Sequence, residues 1–219
     1  MATIAILPIK GFGEAKQRLR DQLAPKYRRL LAEAMYRDVL AALGRTEGIA
    51  RILVATSDER ARELAIDARA LLLDDRGLGH SEAGALGARA GIESGFERAL
   101  LVPGDCPLLD PNELDALLAH DAPARSALIV PDRHGTGTNA LLLRPPDALA
   151  PAFGPGSCHR HMQSAQAAGS AAEVVKVPSL ALDIDTPDDL GALARAFDCT
   201  AEAAIHTRAA LGELLRSAA

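Results

Sequence analysis

Two aspartates two residues apart, in Leu182-Asp183-Ile184-Asp185-Thr186-Pro187, carry the clearest chemical signal in the chain. Leu182 and Ile184 alternate with Asp183 and Asp185, so in an extended strand both carboxylates leave by one face. Oxygens placed that way can share a divalent cation of the Mg²⁺ type, which is commonly completed by substrate phosphates. A third acid, Asp105, follows the apolar run of Leu101-Val102-Pro103-Gly104-Asp105-Cys106-Pro107, between prolines that stiffen the turn. An aspartate in a turn is usually a cap. Asp110, however, is placed to cap the next helix, which leaves Asp105 free to face the pair and make a three-acid cation site.

Cationic and polar groups gather in other loops. In Leu7-Pro8-Ile9-Lys10-Gly11-Phe12-Gly13-Glu14-Ala15-Lys16-Gln17-Arg18, two glycines would let backbone amides approach a phosphate, and Lys10, Lys16 and Arg18 would balance its charge. The spacing is neither a Walker A loop nor the dinucleotide fingerprint, and a solvated surface loop is an equal reading. Residues 132–139 form a run of eight polar or glycine residues ending in Thr138-Asn139, more than a hairpin turn needs, and suited to a carboxylate or phosphate. In Phe153-Gly154-Pro155-Gly156-Ser157-Cys158-His159-Arg160-His161, Ser157 is expected to cap a helix whose free amides form an anion site. His161 is expected to be an exposed surface histidine there. The loop from Asp75 to Leu86 either holds a nucleobase or ribose through its backbone or merely joins two elements.

The elements that must position these groups are short. Apolar runs at 3–9, 50–56, 70–74, 98–103, 127–131 and 140–143 read as buried strands bounded by Pro, Gly and Asp. Residues 26–43 have helical spacing, Asp58 caps a second helix, and Asp110-Pro111-Asn112-Glu113 resembles a capping box. Residues 80–95 are Ala- and Gly-rich and weakly helical. Thr186-Pro187-Asp188-Asp189 starts another helix, with a threonine cap and acids at the positive dipole end. Alternating strand and helix imply an α/β fold: an open, mostly parallel sheet with helices on both faces, binding ligands beyond the carboxyl ends of its strands. Residues 1–198 are expected to form one domain and 199–219 a helical extension.

Composition narrows the partners. The chain has 219 residues, 48% of them hydrophobic, enough for a real core. A formal charge of −5 argues against nucleic acid. Cys106, Cys158 and Cys199 have neither zinc-site nor disulfide-framework spacing. The opening MATIAILPIK is too short an apolar run, without a basic flank, to be a secretory signal. No stretch reaches the roughly 18 apolar residues of a membrane span. A cytoplasmic protein is expected, and a homodimer remains open.

Taken in order, several of these segments resemble the 2-phospho-L-lactate guanylyltransferase family of coenzyme F420 biosynthesis. They are Ile6-Leu7-Pro8-Ile9-Lys10 with Ala15-Lys16-Gln17-Arg18-Leu19, the Pro-x-Asp-x-Pro around Asp105, His134-Gly135-Thr136-Gly137-Thr138-Asn139, Phe153-Gly154-Pro155-Gly156-Ser157, and the paired aspartates. The resemblance runs from Thr3 to about Leu193. It implies a nucleotidyltransferase-type, Rossmann-like fold that uses GTP and Mg²⁺ and transfers GMP to the phosphate of a small phosphorylated acid, releasing pyrophosphate. The acceptor would be 2-phospho-L-lactate, phosphoenolpyruvate or 3-phospho-D-glycerate. It further implies that Asp105, Asp183 and Asp185 hold metal, that Lys10, Lys16 and Arg18 hold the triphosphate, and that Thr138, Asn139, Gly154 and Ser157 surround the acceptor. An acceptor phosphate is already a nucleophile, so acids and cations without a Ser, Cys or His dyad suit the chemistry.

Cys106 and Cys158-His159 depart from the family pattern and would tilt the acceptor toward 3-phosphoglycerate, unless the thiols are small buried hydrophobes. Two alternatives stand beside this reading. One is another nucleotidyltransferase of the molybdenum-cofactor or sugar-phosphate type, disfavoured by the absence of a Gly-Gly-x-Ser-x-Arg first loop. The other is a catalytically silent nucleotide-binding regulator, disfavoured because all three aspartates are present.

Overall fold

The computed structural model of the chain describes residues 1–198 and 203–218. Strand and helix alternate as β1 (Thr3–Pro8), α1 (Pro25–Leu43), β2 (Ile49–Ala55), α2 (Glu59–Asp67), β3 (Leu71–Leu73), α3 (His80–Glu93), β4 (Arg98–Leu101) and α4 (Pro111–Leu118). There follow β5 (Ser126–Pro131), β6 (Thr138–Arg144), α5 (Ser157–Ala167), β7 (Ala171–Val174), α6 (Pro187–Phe197) and α7 (Ile205–Ala218). The seven described strands form one sheet in the order β3-β2-β1-β4-β6-β5-β7. β1 runs parallel to β2 and β4, and β7 parallel to β5. β6 is antiparallel to both its neighbours, β4 and β5.

That one reversal matters for the site. Strand order turns around between β1 and β4, so the loops after them open a crevice at the carboxyl edge of the sheet. Because β6 runs backwards, its first residues, Thr138 and Asn139, arrive at the same edge, where Leu141 pairs with Leu101 near the end of β4.

Alternate strand residues point to opposite faces. Ala5 and Leu7 join a core under α1, α2 and α4, while Ile4 and Ile6 join a second core with residues of α3 and α5. Helices on both faces are therefore observed. The glycines of the weakly helical 80–95 segment have a packing reason. A Cβ on Gly87 would come within 2.5 Å of Ile6 Cγ2, and one on Gly84 within 2.8 Å of Leu101 Cδ2, so α3 lies directly on β1 and β4.

Two expectations need correction, and one strand is unanticipated. Residues 182–185 are not a strand: one ladder-like bond, Ile184 N–H to Asp105 O at 3.2 Å, is their link to the turn after β4. The alternation survives without pairing. Ile184 is fully buried and Leu182 packs beside it, while Asp183 and Asp185 face a cavity. β7 has no apolar signature because it is a largely exposed edge strand. Glu113 does not complete a capping box, since its carboxylate instead accepts from Ser179 N at 2.8 Å.

The expected boundary at 198/199 and the expected start of the last helix at 200 border or fall on residues 199–202, outside the described residues. Cys199 and residue 219 also lie outside them. α7 docks on α1 through Asp38, whose buried carboxylate accepts from His206 N (3.0 Å), Thr207 N (2.8 Å) and Thr207 Oγ1 (2.6 Å). Asp38→Ala would leave the first turn of α7 uncapped. It is expected to lower stability by about 1–2 kcal/mol and to speed amide exchange in residues 205–214 before the sheet. Gly87→Val is expected to cost at least about 1–3 kcal/mol by overpacking, read as a lowered denaturant midpoint.

Candidate active site

The loop after β1 is pinned before it can bind anything. Phe12 is buried against Tyr36, with ring centroids 5.7 Å apart, and its N–H donates to Asp58 Oδ2 at 3.1 Å. Asp58 caps α2 as expected, its Oδ1 accepting from Ala61 N at 2.9 Å. Lys16 sits in the left-handed region at φ 57°, a conformation that a non-glycine residue holds only when its surroundings demand it. The demand comes from its amine. Lys16 Nζ lies 2.5 Å from Asp105 Oδ2 and 2.9 Å from Asp185 Oδ1, with the side chain only 7% exposed. Burial alone would discharge this lysine, but the charges of Asp105 and Asp185 and their hydrogen bonds outweigh it and raise its pKa.

Around this ammonium the acids assemble. Asp105 Oδ1 is buried without a hydrogen-bond partner among the described residues. Asp183 Oδ1 accepts from Asn139 Nδ2 at 3.2 Å. Burial, and then the neighbouring Asp105 charge, push the Asp183 carboxyl above its ordinary range. Arg18 Nη1 stands 3.8 Å from Asp185 Oδ2 and is largely exposed. Thr186 caps α6 in a full capping box with Asp189, which also accepts from Asp185 N at 3.1 Å and so fixes the acidic loop to the helix start.

Two cavities meet here. One, about 610 Å³, is lined by Lys10, Gly11, Lys16, Tyr36, Asp75 and Gly77 among others. The second, about 600 Å³, is lined by Arg18, Thr138, Asn139, Gly154, Ser157, Asp183 and Asp185 among others. His80, Pro103 and Asp105 belong to both. All ten residues singled out in sequence therefore border one continuous crevice. Lys10 is exposed beside the first cavity. Asp75 is buried there and accepts from Gly77 N at 3.1 Å.

Several side chains have partners other than those expected. Asn139 gives its amide hydrogens to Leu180 O (2.7 Å) and Asp183, so it ties the acidic loop to β6. Ser157 does not cap α5. The cap is Gly156 at φ 71°, and the Ser157 hydroxyl is buried beside the second cavity without a hydrogen-bond partner among the described residues. Two of the amides expected for an anion have partners, Ser157 N on Gly154 O at 3.0 Å and Cys158 N on Thr136 O at 3.1 Å. Arg160 folds back on the carbonyls of Ala152, Phe153 and Pro155 and so shapes the loop.

His161 is fully buried rather than exposed. Its Nδ1 is 3.0 Å from Thr138 Oγ1, and its Nε2 accepts from Ala152 N at 2.8 Å. Burial, aided by the Arg160 charge, lowers its pKa to about 4. The spacing of Ser157, His161 and Ala165, all buried and four apart, was the available signal. His80 and Phe153, edge to face at 4.9 Å, were not anticipated as cavity walls. Cys106 is buried with its thiol toward Leu180 O at 3.7 Å, Cys158 lies in the second core, and His159 is exposed away from both cavities. The tilt toward 3-phosphoglycerate loses its basis, and the thiols are small hydrophobes.

The donor set suits a hard cation, being three carboxylates with one orphaned buried oxygen. It is not preassembled, because no three acidic, His or Cys side chains close into a cation cage among the described residues. Two of the acids share the Lys16 ammonium instead. No described helix is long and apolar enough to cross a membrane.

Comparison with known proteins places the chain in a family. A phosphoenolpyruvate guanylyltransferase of Conexibacter woesei is 50% identical over 219 residues, covering 99% of this chain and 98% of that protein. A 3-phospho-D-glycerate guanylyltransferase of Colwellia psychrerythraea is 36% identical, covering 89% of this chain and 92% of that protein. A solved structure from Desulfovibrio desulfuricans, described as a nucleotide-diphospho-sugar transferase, has a TM-score of 0.76 at 18% identity. It covers 96% of this chain and 94% of that one, and establishes the shared fold. The family pattern described as "Guanylyl transferase CofC like" matches residues 3–198, with the crevice inside it, and the chain belongs to that family.

Proposed function

We propose that the enzyme transfers GMP from GTP to the phosphate of a small phosphorylated carboxylic acid, in the cytoplasm, as a step of coenzyme F420 biosynthesis. The observation that carries this reading is the pair of similar-sized cavities meeting at Asp105, each large enough for a small ligand and separated by charged groups. The cavity beside Lys10, Gly11 and Asp75 takes the nucleotide, and the one beside Thr138, Gly154 and Ser157 takes the acid. Phosphoenolpyruvate is the leading acceptor, because the Conexibacter relative named for it is 50% identical across nearly the whole chain.

In this reading an oxygen of the acceptor phosphate attacks the α-phosphorus of GTP, and the bond to the β-phosphate oxygen breaks to release pyrophosphate. No proton need be removed from the nucleophile, so the step requires no general base. The obstacle is repulsion between two anions. Lys16, held by two acids, fixes one positive charge at the junction, and Arg18 adds another at the rim. Three carboxylates against two cations leave the junction acidic, so a further cation must accompany the phosphates. Mg²⁺ held by Asp105, Asp183 and Asp185 would supply charge neutralisation and template the in-line geometry. Buried Cys106 and Cys158 are both free thiols, which suits a reducing compartment.

Purified enzyme given GTP, Mg²⁺ and each of phosphoenolpyruvate, 3-phospho-D-glycerate and 2-phospho-L-lactate is expected to release pyrophosphate fastest with the first. Chelation of the metal is expected to stop it. Silence with all three acids would favour a nucleotide-binding regulator. Asp183→Asn keeps the shape and the contact region of Asn139 but removes a charge. It is expected to lower turnover by about a hundredfold or more while thermal unfolding stays cooperative; near-normal turnover would remove Asp183 from the metal site.

A further inference from the structure

We propose that His161 is a positioning residue that fixes the Thr138 hydroxyl as a hydrogen-bond donor aimed into the acceptor cavity. Donor and acceptor roles here follow by elimination. The backbone N–H of Ala152 can only donate, so the Nε2 it meets at 2.8 Å must present a lone pair. A neutral imidazole with Nε2 bare carries its hydrogen on Nδ1. Nδ1 must then donate across 3.0 Å to Thr138 Oγ1. One lone pair of the Thr138 oxygen is thereby occupied, and its own hydrogen is left to donate. Among the described residues this hydroxyl has no other hydrogen bond, and Thr138 lines the second cavity.

The ring cannot easily reverse these roles. A flip about its outer bond would replace both nitrogens by carbons and break two buried hydrogen bonds. Phe153 packs edge-on against it, with centroids 5.2 Å apart, and is gripped on its other side by His80. Phe153 N also donates to Ser81 Oγ at 2.9 Å, tying this wall to the start of α3. Full burial of His161 disfavours a second proton on the ring. The result is a cavity-wall hydroxyl with one lone pair taken up by the ring and its hydrogen left to donate to a carboxylate or phosphate oxygen. This inference rests on the acceptor assignment made above.

The order of the bonds is testable without turnover. In protein labelled with ¹⁵N-histidine, the resonances that vanish in His161→Gln are expected to show a protonated Nδ1 and a bare Nε2. A protonated Nε2 would overturn the proposal. Kinetically, His161→Gln lacks a donor at the Nδ1 position and is expected to raise the acceptor KM about tenfold to a hundredfold, with the GTP KM within about twofold. His161→Asn places an amide N–H near the lost Nδ1 and is expected to recover most of that loss. In a Thr138→Val background, His161→Gln is expected to add little. Equal defects in the Gln and Asn variants, or additive effects with Thr138→Val, would show that His161 acts only as core packing. Failure of every acid to react would refute the functional reading, whereas the spectrum still decides the hydrogen-bond order.

Discussion

The buried ammonium of Lys16 holds the crevice together. Its two acids come from positions 105 and 185, so one side chain joins the loop after β1, the turn after β4 and the segment before α6. Asp105, Asp183 and Asp185 repel one another, and the raised Asp183 pKa records that repulsion together with burial. Without a cation among them, three partly desolvated carboxylates in one crevice would be unfavourable. The left-handed backbone at Lys16 is the local cost of bringing that cation inward. The same arrangement that stabilises the crevice suits polyanions, because a positive charge is already held at the junction.

What the sequence reveals about this site depends on whether a residue's environment is local. Asp183 and Asp185 are legible because alternation with Leu182 and Ile184 is a property of four consecutive residues, and it holds even though no strand forms. Thr186 and Asp58 are legible as caps for the same reason. The tie that Asn139 makes to the acidic loop is not legible, since its hydrogen-bond partners lie 41 and 44 residues away and no local pattern announces them. Ser157 misleads because Gly156, with a positive φ, displaces it from the cap by one residue. The strands of the parallel core are read well because burial on both faces demands apolar runs. β7, exposed at the edge, has no such demand on it and leaves no trace.

The comparison sharpens which part of the site selects the acceptor. Relatives at 50% and 36% identity are named for different phosphorylated acids, yet any such acid presents the same phosphate and carboxylate chemistry. Discrimination must therefore come from shape and hydrogen-bond polarity around the acid's carbon skeleton rather than from the charged junction. Under the proposed acceptor assignment those surfaces would be the ring of Phe153, the edge of His80 and the hydroxyls of Thr138 and Ser157, all on the wall of one cavity. Cys106 and Cys158 line neither of these two cavities.

The last helix stands apart from the family pattern, which ends at residue 198, yet it is not loosely attached. Asp38 accepts three hydrogen bonds from its first turn, and Leu211 packs against the small cluster formed by Leu19, Leu31, Met35, Ile184 and Leu193. Leu19 directly follows Arg18, and Ile184 sits between the two aspartates that face the cavity. The cluster thus supports the rim arginine and the acidic loop from behind, on the side away from the cavity. A loop with one ladder-like bond to the sheet has little backbone pairing to hold its shape, so its geometry depends on how firmly Ile184 is packed. α7 adds apolar surface at that position, which makes the extension part of the scaffold under the acidic loop rather than an independent appendage.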